Sequence, residues 1–243
     1  MDDWSVSILN EAEKRRIVAA FSEECQTDQK RIKDDNGFIT YNSRAMTAWD
    51  LRFKRISQVA DSLGFVIIRA SRSILWEFIG VFSEGELYLF FKDKNIKLIL
   101  KNCEDNPYHY VLCALGFNES ANDKSNNVQL ELLEDEFKEK RNEINTKLFG
   151  AYCEKIKEVR IFTIDEFNGK AVRAEELFLD SKGNYVEVTD YSDAISTDYT
   201  SIINQEAVDK KGLLVGLKPG IKKTDMSVVD LKESNDEITE NRN

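Results

Sequence analysis

In the stretch ILNEAEKRRIVAAFSEEC, apolar residues fall at positions 8, 9, 12, 17, 18 and 21. That spacing keeps one face of a helix apolar and predicts an amphipathic helix capped by Ser7 or Asn10. The polar stretch QTDQKRIKDDNGF reads as a connector. In MTAWDLRFKRISQVADSLG, Trp49, Phe53, Ile56, Ala60 and Leu63 lie on one stripe, and Gly64 stands where a helix end favours positive φ. The period then falls to two. FVIIRA, ILWEFIGVF and ELYLFF are β-branched, aromatic and apolar on both faces, as expected of strands covered from both sides.

Short helices are expected over 94–101 and 107–117, the second opened by Pro107, followed by a polar loop, NESANDKSNN. In VQLELLEDEFKEKRNEINTKLFG, Leu130, Leu133, Phe137 and Ile144 make a stripe that Lys140 interrupts, which predicts a long surface helix. EVRIFTI, AVRAEELFLD and NYVEVTD return to strands, with a turn at Ser181–Gly183. The order is helices, three strands, helices, three strands and a tail. It predicts an α+β fold: a mixed or antiparallel sheet of about six strands in two groups of three, flanked by helices. Residues 1–198 form one domain, with 118–127 the place where it would subdivide. Residues 199–243, including Gly212, Gly216 and Gly220, are expected to be a flexible or partly ordered tail.

One polar position disturbs the first strand group. Glu77 sits inside ILWEFIGVF beside Ile79 and Val81 at strand period. If Glu84–Gly85 is a two-residue hairpin loop, Ser83 pairs with Glu86 and Phe82 with Leu87. Carried further, that register sets Glu77 opposite Lys92 and Trp76 opposite Asp93. The bland reading is a cross-strand ion pair; the chemical one is a catalytic acid-plus-lysine site of Glu77, Lys92, Asp93 and Asp50. The second reading implies a nuclease or phosphodiesterase that needs Mg²⁺ or Mn²⁺, although the [DE]-x-K spelling of such sites is missing from the central strands. A second constellation is basic and aromatic: Arg44, Trp49, Arg52, Arg69, Arg72 and Trp76, with Lys54 and Arg55. Arginine beside tryptophan suits stacking on bases or an acidic partner. Its bland reading buries the tryptophans and leaves Arg52 and Arg55 on a solvated helix face.

Composition narrows the classes. Apolar residues make up 42% and charged residues 32% of 243, which fits a folded soluble protein and excludes wholesale disorder. No apolar run approaches the roughly 18–20 residues that cross a bilayer, and MDDWSVSILNEAEKRR lacks the order of a secretory signal, so a cytoplasmic protein without membrane contact is expected. The formal charge of −10 disfavours nucleic acid as a partner, although residues 44–101 are locally basic. No GxxxxGK[ST], GxGxxG or GxSxG is present, and there is one histidine, His109. Cys103, His109 and Cys113 spell C-x5-H-x3-C, with Cys153 available by count. Cys113 lies in the apolar YVLCALGF, so the cysteine reads as core and no metal or other cofactor is assigned.

AWDLRF, Arg72 through LWEFIGVF, LYLFFKDK and HYVLCALGFN together resemble a bacterial domain family of unknown function. That family is marked by a WDLR-like helix, an arginine before a W-E-F strand, an L-Y-x-F strand and a His–Tyr pair. AVRAEELFLDSKGNYV and YSDAI resemble its second half, so the likeness covers about residues 14–196. It implies no established activity and no catalytic residues, and it hints at phage, defence or mobile-element biology. The expected function is an intracellular protein-binding or regulatory module. Its contact surfaces would be the acidic 129–143 helix and the tail, and its protein partner is not specified by the sequence.

Overall fold

Asn10 caps the first helix, α1 (Glu11–Ser22): its side chain accepts from the Glu13 N–H at 3.0 Å, and the Glu13 carboxylate accepts the Asn10 N–H at 2.9 Å. This reciprocal box satisfies two amides that a helix start otherwise leaves unpaired. The computed structural model describes residues 8–73, 76–121 and 131–195, all within the unit Met1–Tyr199, setting aside the side chains of Ser73 and residues 131–137. The tail with its glycines, residues 122–127 of the polar loop, and the side chains of Leu130, Leu133 and Phe137 therefore lie outside the described residues.

Residues 26–35 form a helix, α2 (Gln26–Asp35), where a connector was expected. Ile32 is its one aliphatic residue, so no apolar stripe announces it. Tertiary polar contacts hold it instead: buried Gln29 donates to the Arg44 carbonyl at 2.6 Å, and Asp28 pairs with Arg55 at 2.8 Å. Helix α3 (Arg44–Ser62) ends as its sequence predicts. Gly64 adopts φ +79°, the Phe65 N–H reaches the Ala60 carbonyl and the Gly64 N–H that of Asp61, the paired bonds of a Schellman close.

Strands β1 (Val66–Ser73), β2 (Trp76–Ser83), β3 (Glu86–Lys92), β4 (Glu158–Phe167), β5 (Lys170–Leu179) and β6 (Tyr185–Asp190) form one six-stranded sheet in sequence order. All neighbours are antiparallel except β3 and β4, which run parallel. The expected two groups of three are thus a single continuous mixed sheet. The parallel step is spanned by α4 (Asp93–Lys101), α5 (Tyr110–Leu115), a 3-10 turn at Gly116–Ala121 and α6 (Glu131–Phe149). Both faces are covered. Leu87, Leu89, Val159, Ile161 and Leu177 pack with residues of α4, α5 and α6, while Val81, Tyr88, Phe90, Phe162 and Ile164 pack with α1 and α3. Strands buried on both sides account for the near-continuous apolar runs. Among the described residues no helix is long and apolar enough to cross a membrane.

A candidate binding cleft where two strands part

The tight turn between β2 and β3 forms as its sequence predicts: Glu84 (φ 43°) and Gly85 (φ 96°) both take the left-handed conformation of a two-residue hairpin loop. Ser83 pairs with Glu86, Phe82 with Leu87 and Val81 with Tyr88, and there the register ends. β2 keeps β1 as its neighbour down to Trp76, and β3 keeps β4 up to Lys92. The two strands therefore part beyond Val81, each held by its outer neighbour.

This parting overturns the pairing of Glu77 with Lys92. Glu77 instead accepts from Arg69 on β1, at 3.0 Å from Nε and 2.5 Å from Nη2, in an exposed pair. Lys92 pairs with Glu166 of β4 at 2.5 Å. Asp93 opens α4 and pairs with Lys97 one turn on, at 2.7 Å, and Asp50 lies on the exposed side of α3. Glu77, Lys92 and Asp93 thus carry separate ion pairs, and Asp50 belongs to none of them. Among the described residues no group of three His, Cys, Asp or Glu is placed to hold a metal ion. Because Glu77–Arg69 is solvated, Glu77→Gln is expected to lower stability by less than about 1 kcal/mol in urea unfolding. A larger loss would mean that the pair is buried in solution.

The basic and aromatic set is partly assembled. Arg52 is not on a solvated face. It is 2% exposed, lies 5.6 Å from the Trp49 ring centre and pairs with Glu166. Arg55 ties α3 to Glu23 and Asp28, and Arg44 hydrogen-bonds Gln29. Trp49, Trp76 and Arg72, by contrast, meet at one place.

That place is the gap between the parted strands, a cleft of about 230 Å³. One wall is built on Trp49, whose ring lies 5.2 Å from Phe53 and 6.3 Å edge-on from Trp76. The other is built on Tyr110, with Phe78 at 4.7 Å and Phe91 at 6.0 Å. Phe53 touches both cores, so the cleft opens where the two layers meet through the sheet. Leu98 of α4, 58% exposed, stands at its edge.

Besides Tyr110 and the two tryptophans, three polar residues line it: Arg72, Asn95 and His109. The Arg72 guanidinium sits 5.3 Å over the Tyr110 ring. His109 is the N-cap of α5, its Nδ1 accepting the Val111 N–H at 3.3 Å, which leaves Nε2 as the protonated, donating nitrogen of the neutral ring. Burial, reinforced by the positive charge of Arg72, holds its pKa down at about 4, so the imidazole is neutral at pH 7. The cysteines are free, and burial raises the Cys113 thiol to about 11, as befits a core residue. Sequence reasoning missed Phe90, Phe91, Asn95, Leu98 and Tyr110 as cleft residues. The available signal was the His–Tyr pair beside the apolar α5.

No curated protein and no solved structure matches the protein at a significant level. One family does, and its match runs over residues 7–231, well past the 14–196 of the sequence likeness. The described sheet, its helices and the cleft all fall within it. The protein belongs to DUF5986, a family of unknown function.

Proposed function

We propose that the protein is a binding module that recognises a partner protein by seating one ring-bearing side chain in the cleft between β2 and β3. The observation that carries this reading is the parting of two core strands around an aromatic-walled space that the described side chains leave open. The space is below the roughly 300–1,000 Å³ of drug-sized ligand sites, which favours a single side chain over a large cofactor. Burying such a group contributes about 1.5–3 kcal/mol, enough to make it the anchor of a modest interface. The net charge of −10 disfavours a phosphate polymer as the principal ligand. The alternative, a metal-dependent nuclease or phosphodiesterase using Glu77, Lys92, Asp93 and Asp50, would have to bring the first three out of separate ion pairs and draw in Asp50 from the exposed side of α3.

Leu98→Trp enlarges an exposed residue at the cleft edge and should block entry without unfolding the protein. Peptides selected from a random library on the wild-type protein are expected to share an aromatic residue and to bind Leu98→Trp at least tenfold more weakly. Selected peptides that bind both proteins equally would remove the cleft from the interaction. Mg²⁺- or Mn²⁺-dependent cleavage of nucleic acid, lost in Glu77→Gln, would establish the alternative instead.

A further inference from the structure

Arg72 differs from most arginines of this fold. Arg69, three residues earlier on the same strand, is neutralised by Glu77, and Arg15, Arg31, Arg52, Arg55, Arg160 and Arg173 each pair with a carboxylate. Among the described residues no carboxylate pairs with Arg72, although it is exposed at the cleft and lies over the Tyr110 ring. Besides Tyr110 and the two tryptophans, the other polar residues lining the cleft are Asn95, whose amide both donates and accepts, and His109, whose neutral ring donates through Nε2. The lining therefore combines aromatic walls with one uncompensated cation and a surplus of donors, and among the described residues it contains no acid. An aromatic group alone would satisfy only the walls.

We infer that the cleft takes an aromatic ring carried beside a carboxylate, so that the ring enters between Trp49 and Tyr110 while the carboxylate meets Arg72. This deepens, and rests on, the reading of the cleft as a side-chain pocket. The carboxylate comes either from the C-terminus of a peptide that ends in an aromatic residue or from an aspartate or glutamate next to one. Both sources offer the same planar acceptor, which a guanidinium engages through paired, charge-assisted hydrogen bonds. A solvated lysine in place of Arg72 would lack that fork.

The single histidine makes the test local, because one imidazole signal in the NMR spectrum reports the cleft. The probes are N-acetyltryptophan, its neutral amide, and the dipeptide amide Ac-Asp-Trp-NH₂, titrated into the full-length protein. Both acids are expected to shift the His109 ring signal and to bind at least tenfold more tightly than the neutral amide. Arg72→Met should abolish that preference while leaving binding of the neutral amide within about twofold. If only N-acetyltryptophan is preferred, the C-terminal source holds; if only the aspartyl peptide, the internal one. Equal binding of all three probes overturns the inference and leaves the side-chain pocket standing. No shift of His109 by any probe overturns both. Tighter binding of adenosine monophosphate than of either acid overturns the inference in favour of a nucleotide. Loss of all binding in Arg72→Met also overturns it, since Arg72 would then shape the cleft and not read charge.

Discussion

Replacing Asn118 by alanine is expected to lower the stability of the protein by about 3–5 kcal/mol, read from urea unfolding. Asn118 is 1% exposed, and its amide donates to the carbonyls of Val159 at 2.8 Å and Leu179 at 2.7 Å while accepting the Val159 N–H at 2.7 Å. The ladder between β4 and β5 is paired at Arg160 and Phe178, and the side chain sits where the next rung would fall. Alanine would strand three buried backbone groups, each costing about 1–3 kcal/mol when left unpaired. Aspartate keeps an acceptor but loses both donors and buries a charge, so it should be no milder. A loss below about 1 kcal/mol on Asn118→Ala would show that water or backbone replaces the amide.

Glu166→Ala should cost a similar amount, about 3–5 kcal/mol, for a different reason. Glu166 bridges Arg52 and Lys92, and Arg52 is the buried member. The Arg52 Nε and Nη1 atoms have no hydrogen-bond partner among the described residues, so Glu166 is the group that compensates a nearly water-free guanidinium. Lys92, more exposed, should cost only about 1 kcal/mol on truncation to alanine. The double replacement Arg52→Leu with Glu166→Leu should recover most of the loss, because an apolar pair removes the stranded charge. A double variant as unstable as the single one would mean that the two side chains act through packing and not through charge.

What the sequence made legible was local. The Asn10 cap, the Gly64 close and the Glu84–Gly85 turn each depend on residues within five positions, and each forms as read. The inner strands β2, β3 and β4 were legible from apolar runs that two covered faces impose. Strand β6, exposed along most of its length, was legible from its β-branched residues and the turn before it. The register of Glu77 failed because it extrapolated a local rule past Val81, where the course of β2 is fixed by β1 and that of β3 by β4. Helix α2 escaped notice because its anchors, Gln29 on Arg44 and Asp28 on Arg55, lie in another element. The candidate site was half legible. Trp49, Trp76 and Arg72 stood out by type, but Tyr110 and His109 lie within the crossover, and the His–Tyr pair does not announce which strands and helix it will meet.

That crossover also sets an order of events during synthesis. β3 is an inner strand whose residues Leu87–Phe91 are buried, yet β2 shelters it along only three rungs. Its other edge stays open until residues 93–157 have been made and β4 arrives to run beside it. A nascent polypeptide that has just extruded β3 therefore presents a bare apolar edge, the kind that pairs with any passing strand. Helix α4, which follows at once with Ile96 in the same core as Leu87 and Leu89, covers one face of that strand but not its hydrogen-bonding edge. Pausing translation within the crossover should thus favour aggregation, whereas a pause after β4 should not.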